Sequence, residues 1–396
     1  MKQYLYLFFF RILYHLLILL RALSTMRPLL TFLSLIVLVF TPCSALAKTS
    51  EQQAQITLGR YLFNDVRLSK LGNRSCALCH AVDLGWTNRF SKVPDIHGNP
   101  TTLNTPALLN VAHYDQFMQS REGLQTLEQA ILLPLFGTTP TEMGMTEPLL
   151  VQRLKQASDI YTPLFEASYQ SADFTTQKVI DALAKYVETI RSVDTPYHRY
   201  LSGDTDALNK EQKLGLALFN SDRLKCSQCH GGELLNSPKN NTDPLYVSTG
   251  LYGIKNKDGK HLYPENERGK ASFSHKETDD GKYRIPSLIN VSETAPWGHD
   301  GSVQSLEQYI EHYAAGGRML TIGKNAGDGR YHLNKDNKIS GFSLSNKEKK
   351  ALVAFLKSLT ITRLPAQQHQ DPFCQLVPLK NKKDSPNCLP PFKVKS

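Results

Sequence analysis

The chain of 396 residues is 41% hydrophobic and 21% charged, a composition that excludes disordered, collagen-like and coiled-coil proteins and predicts about two globular domains. Its formal charge is +10, but residues 1–47 hold four basic side chains and no acid, so the rest carries +6. No cluster of Lys and Arg interleaves with aromatic residues, which argues against nucleic-acid binding and leaves a weak preference for acidic protein partners.

The amino-terminal residues have the pattern of an export signal. From Met26, the basic Arg27 precedes an apolar run at 29–40 and a small-x-small triplet that ends at Ala47. This order predicts a signal peptide over residues 1–47, cleaved after Ala47, and a periplasmic mature protein. Charged and polar residues interrupt the earlier apolar stretch, so Met26 is a candidate true start and a membrane anchor is disfavoured.

Two segments of the chain repeat one another. Residues 58–68, LGRYLFNDVRL, match residues 214–224, LGLALFNSDRL, at seven positions without a gap. Each segment leads into a Cys-x-x-Cys-His motif, and the two motifs begin 150 residues apart. This spacing predicts a duplication with one motif in each domain.

The apolar periodicity between these motifs is helical. Apolar residues recur at three- and four-residue steps over 174–191, and a Ser-x-x-Glu capping box opens a helix over 346–359. Alternating strand patterns are scarce, so the sequence predicts a mainly α fold with little β. The Gly-, Asn-, Lys- and Asp-rich stretches 231–282 and 316–344 predict long surface loops.

Two thiols three residues apart, followed directly by His, are the signature of c-type haem attachment. A zinc site or a thioredoxin-type redox motif would explain the cysteine pairs but not the His after each pair. The motifs therefore predict two covalent haem c groups, one in a cytochrome c-like domain at 48–200 and one at 201–360. The predicted attachment residues are Cys76, Cys79, Cys226 and Cys229, and the predicted axial ligands are His80 and His230.

The remaining residues, 361–396, form a Pro- and Lys-rich tail. It contains Cys374 and Cys388, the two cysteines that are left in the predicted mature chain once four bind haem. In an exported protein this pair predicts a disulfide, with two free thiols as the alternative.

A catalytic haem needs an open iron face beside an acid–base group, whereas an electron carrier needs neither. Glu142 lies in an otherwise apolar loop, PLFGTTPTEMGM, at 134–145. If buried, its carboxyl group would have a raised pKa and could shuttle a proton. On the pattern alone, a solvated loop glutamate is the simpler interpretation.

Several long motifs, in the same order, resemble the bacterial di-haem cytochrome c peroxidase and MauG family over residues 50–360. PLFGTTPTEMG and HYAAGGR are most similar to the MbnH-type branch, MauG relatives associated with oxidation of a tryptophan on a partner protein. The resemblance implies an oxidoreductase that uses hydrogen peroxide to oxidise a periplasmic protein through high-valent haem. The motifs that carry it are LGRYLFNDVRLS, LNTPALLNV, PLFGTTPTEMGM, SVDTPYHRYLSGD, YRIPSLINVSETAPWGHDGSVQSLE and HYAAGGR.

The resemblance implies different roles for the two haems. The haem on His80 is the peroxidatic one, with Glu142 as its acid–base residue. The haem on His230 is six-coordinate, and Tyr313, fourteen residues after His299, stands where the peroxidases carry a Met ligand. Thioether ligation raises a haem potential, whereas a phenolate favours oxidised iron. The alternative for Tyr313 is an aromatic residue of a helix core.

The resemblance also implies a calcium ion between the haem domains. The matching ligands here are Asn104, Thr294 and Pro296, an oxygen-only set that suits calcium. The alternative for Asn104, which precedes Thr-Pro, is a turn residue. Arg284 matches a family Arg near the haems and is a candidate to bind a haem propionate.

Two positions depart from the family pattern, and a third matches only its peroxidase branch. The segment 116–121 lacks the family Trp between the haems, so Phe117 or another aromatic residue substitutes, or electron transfer between the haems is slower. The family Gln aligns with Ala130, and the adjacent Gln129 fills its role only if the helix is locally shifted. His97 lies where the peroxidases carry a His that blocks the first haem until the second is reduced; a surface loop His is the alternative.

Three functions therefore remain open. Tyr313 favours MauG-like oxidation of a partner protein, and His97 favours a cytochrome c peroxidase fed by a small cytochrome c or copper protein. A non-catalytic di-haem electron carrier is the third. The sequence identifies neither the partner nor the oligomeric state.

Overall fold

The computed structural model describes residues 49–240, 243–362, 369–375 and 387–388. The predicted signal peptide lies outside the described residues. The chain forms two compact units, Met1–Ala54 and Gln55–Ser396. Helix accounts for 42% and strand for 8% of the structure, which confirms the predicted mainly α fold. Among the described residues, no helix combines the length and apolar character that a membrane span requires.

The α-helices follow the predicted pattern of short elements separated by long loops. They are α1 (residues 49–64), α2 (Cys76–Cys79), α3 (Leu127–Phe136), α4 (Glu147–Gln156), α5 (Ser158–Tyr169), α6 (Thr176–Glu188), α7 (Pro196–Leu201), α8 (Lys210–Phe219), α9 (Cys226–Cys229), α10 (Ala271–Ser274), α11 (Leu306–Ala314) and α12 (Asn346–Lys357). Short 3₁₀ turns lie at Val66–Leu68, Val82–Leu84, Val111–His113, Glu265–Glu267, Glu277–Asp279, Val291–Glu293 and Gly329–Tyr331.

The described strands are two residues long and form antiparallel pairs. They are β1 (Tyr246–Val247), β2 (Ile254–Lys255), β3 (His261–Leu262), β4 (Tyr283–Arg284), β5 (Met319–Leu320), β6 (Gly327–Asp328), β7 (Cys374–Gln375) and β8 (Asn387–Cys388), paired β1–β4, β2–β3, β5–β6 and β7–β8. The β7–β8 register sets Cys374 opposite Cys388 along the backbone. Their disulfide stays a prediction.

The helix ends follow local capping chemistry. Thr175 accepts a hydrogen bond from the Lys178 backbone at the start of α6. At α12, Ser345 and Glu348 form the predicted capping box, in which each side chain bonds the other residue's backbone N–H. Both helices end a few residues before the predicted limits, because apolar periodicity continues past the last helical hydrogen bond.

The duplication in the sequence is repeated in the packing. A Cβ atom on Gly59 of α1 would lie 2.0 Å from the carbonyl oxygen of Ala182 in α6, and a Cβ on Gly215 of α8 would lie 2.0 Å from the same atom of Ala351 in α12. Only glycine permits so close a crossing of two helices. Each half is therefore built on an equivalent helix pair.

Separate hydrophobic clusters lie under the two halves. The first includes the fully buried Leu62, Phe165 and Leu183, and the second includes Phe219 and Phe355. The predicted domain boundary between residues 200 and 201 falls in the last turn of α7 and stays a prediction.

The predicted surface loops 231–282 and 316–344 are only partly at the surface. Tyr246, Leu251, Tyr252 and Tyr263 in the first loop are all less than a tenth exposed. Calling the whole stretch a surface loop was wrong, because these apolar residues pack inside the second half, and polar residues such as Ser248 and Asp280 are buried with them.

Candidate haem sites

The first Cys-x-x-Cys-His motif forms a single helical turn followed by a buried imidazole. Cys76 and Cys79 begin and end α2, and Nδ1 of His80 lies 3.0 Å from the carbonyl oxygen of Trp86. Trp86 has φ of 57°, in the left-handed region, at the loop that returns this carbonyl to the ring. Burial lowers the pKa of His80 to about 4, so the imidazole is neutral, as a metal ligand must be.

The second motif reproduces this geometry. Cys226 and Cys229 bound α9, and Nδ1 of His230 lies 3.0 Å from the carbonyl oxygen of Leu235, which also has a positive φ, 52°. Burial lowers the pKa of His230. A backbone bond at Nδ1 fixes the ring and leaves Nε2 as the iron-binding nitrogen. Both halves therefore prepare the same kind of axial ligand.

The thiols of both motifs are free and protonated. None of the four is in a disulfide, and burial raises the pKa to about 12 for Cys76 and Cys226 and to about 11 for Cys79 and Cys229. A thioredoxin-type cysteine has a lowered pKa instead. Among the described residues, these thiols do not gather into a metal-binding cluster. Covalent haem attachment fits the thiols better than either alternative.

A cavity of about 270 Å³, named the second cavity after the motif that it adjoins, lies beside the second motif. Cys226, His230, Tyr313 and Arg284 all line it. The cavity thus brings together one thiol, the predicted proximal ligand and the predicted distal ligand of one haem, residues that are distant in the sequence. The donor set fits a c-type haem with His and Tyr as axial ligands.

Arg284 supplies a further test of this fit. It is 7% exposed and lies over the Tyr114 ring, 4.5 Å from guanidinium carbon to ring centroid. Its NH1 donates to the carbonyl of Ile285, but its Nε is buried and has no partner among the described residues. Leaving such a group unpaired is costly. A haem propionate beside the cavity would satisfy it.

The structure distinguishes Tyr313 from its neighbour His312. Tyr313 lines the cavity, whereas His312 is 6% exposed, packs against Tyr309 and is not among the lining residues. Burial raises the pKa of Tyr313, so a phenolate there would need the positive charge of a bound metal. Tyr313 can therefore be both a buried aromatic residue and an iron ligand, since a haem would fill the cavity that Tyr313 lines.

The three predicted calcium ligands lie on the wall of the same cavity. Asn104 reaches this wall from one part of the chain, and Thr294 and Pro296 reach it from another. The Asn104 amide nitrogen donates to the carbonyls of Phe90 and Ser91, at 3.0 and 3.2 Å. Its side-chain oxygen accepts no hydrogen bond from the described residues, which leaves it available to a cation.

Glu142 lies close to the first motif. Its charge raises the pKa of both Cys76 and Cys79. The side chain is solvent-accessible, but the protein around it raises the pKa of its own carboxyl group by desolvation. Glu142 is therefore neither a free surface carboxylate nor a core residue. It stands at an accessible edge of the first haem-attachment turn.

His97 and Gln129 have other surroundings. His97 is exposed, and its backbone N–H donates to Asp95. The adjacent Ile96 donates to the Thr141 carbonyl at 3.1 Å, so the His97 loop lies against the Glu142 loop. Gln129 is exposed, and its side-chain oxygen accepts from the Gln125 backbone at 2.7 Å, which occupies it in capping α3.

The segment between the halves contains polar links that the sequence did not reveal. The Gln119 side chain donates to the Asn104 carbonyl at 3.0 Å, and its own carbonyl accepts from the Arg284 backbone at 2.7 Å. Phe117 packs on the first hydrophobic cluster, while Tyr114 lines the second cavity. The sequence analysis named Phe117 or another aromatic residue as the substitute for the family Trp, and Tyr114 is an aromatic residue close to that segment.

Residues 53–206 match the family model described as di-haem cytochrome c peroxidase. The methylamine utilization protein MauG of Methylorubrum extorquens is 32% identical over 77% of this chain and 78% of its own length. The chain belongs to the di-haem cytochrome c peroxidase and MauG family. It is a di-haem oxidoreductase and carries two haem groups.

Other members of the family are similar over comparable lengths. Cytochrome c551 peroxidase of Nitrosomonas europaea is 27% identical over 79% of this chain and 82% of its own. The crystal structure of a MauG-like protein associated with microbial copper homeostasis superposes with a TM-score of 0.75, at 32% identity, over 81% of this chain and 93% of that one. The di-haem peroxidase BthA of Burkholderia thailandensis, at 20% identity and a TM-score of 0.56 over 78% of this chain and 86% of its own, shares the fold.

Proposed function

We propose that this enzyme is periplasmic and uses hydrogen peroxide to oxidise a residue of a protein partner, as in the MauG and MbnH groups. The observation that carries the proposal is Tyr313 on the wall of the cavity that also holds His230. A phenolate ligand favours oxidised iron over the reduced iron that an electron reservoir needs. The similarity to MauG and to a MauG-like protein associated with copper homeostasis supports the same assignment.

The proton step falls to Glu142. A haem held by Cys76, Cys79 and His80 supplies the iron at which peroxide is reduced. Glu142 lies close to those two cysteines, and desolvation raises the pKa of its carboxyl group, so it takes up a proton more readily than a solvated glutamate. It takes a proton from one peroxide oxygen and delivers it to the other, so that water leaves. Its accessible position admits peroxide from solvent.

A calcium ion completes the proposal at the second cavity. Asn104 supplies its side-chain oxygen, and Thr294 and Pro296, which line the same cavity, supply backbone carbonyls. Since Gln119 bonds both Asn104 and Arg284, an ion there would stiffen the connection between the two halves of the chain. Waters would fill the remaining positions.

The second candidate function is a peroxide-reducing enzyme supplied with electrons by a small cytochrome c or copper protein. The bond from Ile96 to Thr141 favours it, because it holds the His97 loop beside the Glu142 loop. A His there could block the first iron until the second haem is reduced. Relatives named as cytochrome c peroxidases, at 27% to 29% identity, also support this candidate function. The third candidate function, a non-catalytic electron carrier, gives Glu142 no chemical role.

One titration separates these functions. The fully ferric, fully loaded protein receives stoichiometric hydrogen peroxide without prior reduction, and the haem absorbance is followed. An immediate oxidised species is expected; it means that His97 does not block the first iron and supports partner oxidation. A reaction only after one electron has been added supports the reductively activated peroxidase, and no reaction in either state supports the carrier.

The periplasmic location has its own test. The intact mass of the protein recovered from the periplasm of an expressing bacterium should correspond to a chain that starts at Lys48 and carries two haems. A mature protein that retains the residues before Ala47, or that stays in the cytoplasm without haem, would contradict the export prediction.

A further inference from the structure

A buried tyrosine–carboxylate pair lies next to the second cavity. The hydroxyl of Tyr252 donates to Oδ2 of Asp300 at 2.5 Å, and the two residues are 7% and 6% exposed. Burial and this hydrogen bond raise the pKa of Tyr252. Burial alone would raise the pKa of Asp300 too, but the nearby His299 and the hydrogen bonds from Tyr252 and Ser302 lower it. The proton therefore rests on the phenol, with a strong acceptor in contact.

Aromatic rings connect this pair to the cavity. The Tyr252 ring centroid is 5.7 Å from that of Tyr263 and 5.9 Å from that of His299. Both of these residues line the cavity that holds His230 and Tyr313. Electron transfer weakens steeply with distance, so ring contact at this range makes Tyr252 a close redox neighbour of a haem in the cavity, although Tyr252 does not line it.

The charges around Tyr252 set the condition for its oxidation. The Arg318 guanidinium carbon lies 4.7 Å from the centre of the Tyr252 ring, so a positive charge on that ring would be repelled. An oxidised phenol becomes a far stronger acid than a carboxylic acid, and Asp300 is already in place to take its proton. Loss of an electron and loss of the proton can therefore occur together and leave the ring neutral.

We propose that Tyr252 is a redox-active residue that stores one oxidising equivalent outside the second haem, with Asp300 as its proton acceptor. The inference rests on the proposed function, which supplies hydrogen peroxide as the oxidant. One electron passes from the Tyr252 ring, through Tyr263 or His299, to the peroxide-oxidised haem centre, and the phenolic proton moves to Asp300. When the partner protein returns one electron, the proton returns to the phenol. Two such cycles supply the two electrons that convert one peroxide, with two protons, to two waters.

The test uses electron paramagnetic resonance on the loaded enzyme, frozen after peroxide addition, with haem absorbance recorded in parallel. Protein made with ring-deuterated tyrosine identifies a tyrosyl radical by the narrowing of its spectrum. The variant Y252F keeps the ring and removes the hydroxyl. The matched control is Y161F, because Tyr161 is also buried and hydrogen-bonded to a carboxylate, Asp65, but packs in the first hydrophobic cluster.

The expected result is a tyrosyl radical in the parent enzyme and in Y161F, and its loss in Y252F. An undiminished radical in Y252F, with a normal absorbance change, would overturn this inference while the proposed function stands. No absorbance change in the parent enzyme would overturn the proposed function and this inference with it.

If Y252F does not fold, the variant D300N serves instead. It keeps the Tyr252 ring, weakens the proton acceptor and should also lose the radical. An undiminished radical in D300N would overturn the inference.

Discussion

Gly215 of α8 lies so close to α12 that a Cβ atom on it would stand 2.0 Å from the carbonyl oxygen of Ala351. In an isolated helix, Gly to Ala stabilises by about 1 kcal/mol. Here the overlap with backbone must push two helices apart, and overpacking of this kind costs about 1–3 kcal/mol or more. The helix crossing therefore outweighs helix propensity, and Gly215→Ala should lower the free energy of unfolding.

Denaturant unfolding of the haem-loaded protein measures this effect. The control is Lys210→Ala, which also introduces alanine on α8 but at an exposed position. It should change stability by less than about 0.5 kcal/mol. Equal or higher stability in Gly215→Ala would mean that the crossing distance does not constrain this position.

The helices and the haem motifs were predictable because their signals are local. Capping at Ser345 and the spacing of Cys226, Cys229 and His230 can be read within a few residues. The second cavity was not predictable from the sequence. Tyr252 and Tyr263 lie in a polar stretch whose strands are only two residues long, too short to show an alternating apolar pattern. Their burial depends on contacts with residues distant in the chain. Likewise, nothing in the sequence around Gln119 indicated its bonds to Asn104 and Arg284.

Glu142 carries the proton step of the proposed mechanism. Glu142→Gln keeps the shape of the side chain but cannot exchange a proton, and general acid–base groups contribute about 100-fold or more. Stopped-flow absorbance with hydrogen peroxide should show a correspondingly slower reaction, with both haems still bound. Glu166→Gln, an exposed position on α5, is the control. Parent-like kinetics in Glu142→Gln would exclude the carboxylate from catalysis.

Tyr313 sets the electronic character of the second haem in the proposed function. Replacing it with Met exchanges a phenolate for a neutral thioether, which stabilises reduced iron. The midpoint potential of that haem should rise by roughly 100 mV or more, within the ~0.8 V range that axial ligands cover. Spectroelectrochemical titration measures this. Tyr309→Phe, whose ring lies 5.4 Å from Tyr313, tests for a merely local packing effect, and an unchanged potential in Tyr313→Met would remove Tyr313 as a ligand.

Asp280 predicts a specific loss of stability in acid. Burial would raise its pKa, but hydrogen bonds from His332, Tyr263 and Arg268 outweigh burial and lower the pKa below its ordinary 3.8. A lowered pKa in the folded protein stabilises it fully above 3.8, and this contribution disappears as the pH falls through the folded value. Asp280→Asn should therefore be less stable than the parent at neutral pH, by about 1–3 kcal/mol, and should lose less stability below about pH 4.

Unfolding free energies between pH 3 and 7 test this difference. Asp173→Asn, at an exposed position, provides the matched control and should follow the parent curve. Parallel pH curves for the parent and Asp280→Asn would show that the Asp280 carboxylate makes no contribution of its own to acid unfolding.

Asn104 links calcium binding to stability. A ligand that binds only the folded protein stabilises it by about 2.7 kcal/mol at a hundredfold excess over its dissociation constant. Calcium should therefore raise the melting temperature of the parent protein, and chelation should reverse the rise. Asn104→Ala removes the side-chain oxygen and should lose most of this response, while Asn73→Ala, at an exposed position, should keep it.

Because Asn104 also donates to Phe90 and Ser91, the Asn104→Ala variant will be less stable than the parent without calcium. The deciding quantity is therefore the calcium-induced shift of the melting temperature in each protein. Equal shifts in the parent and Asn104→Ala would place the ion elsewhere.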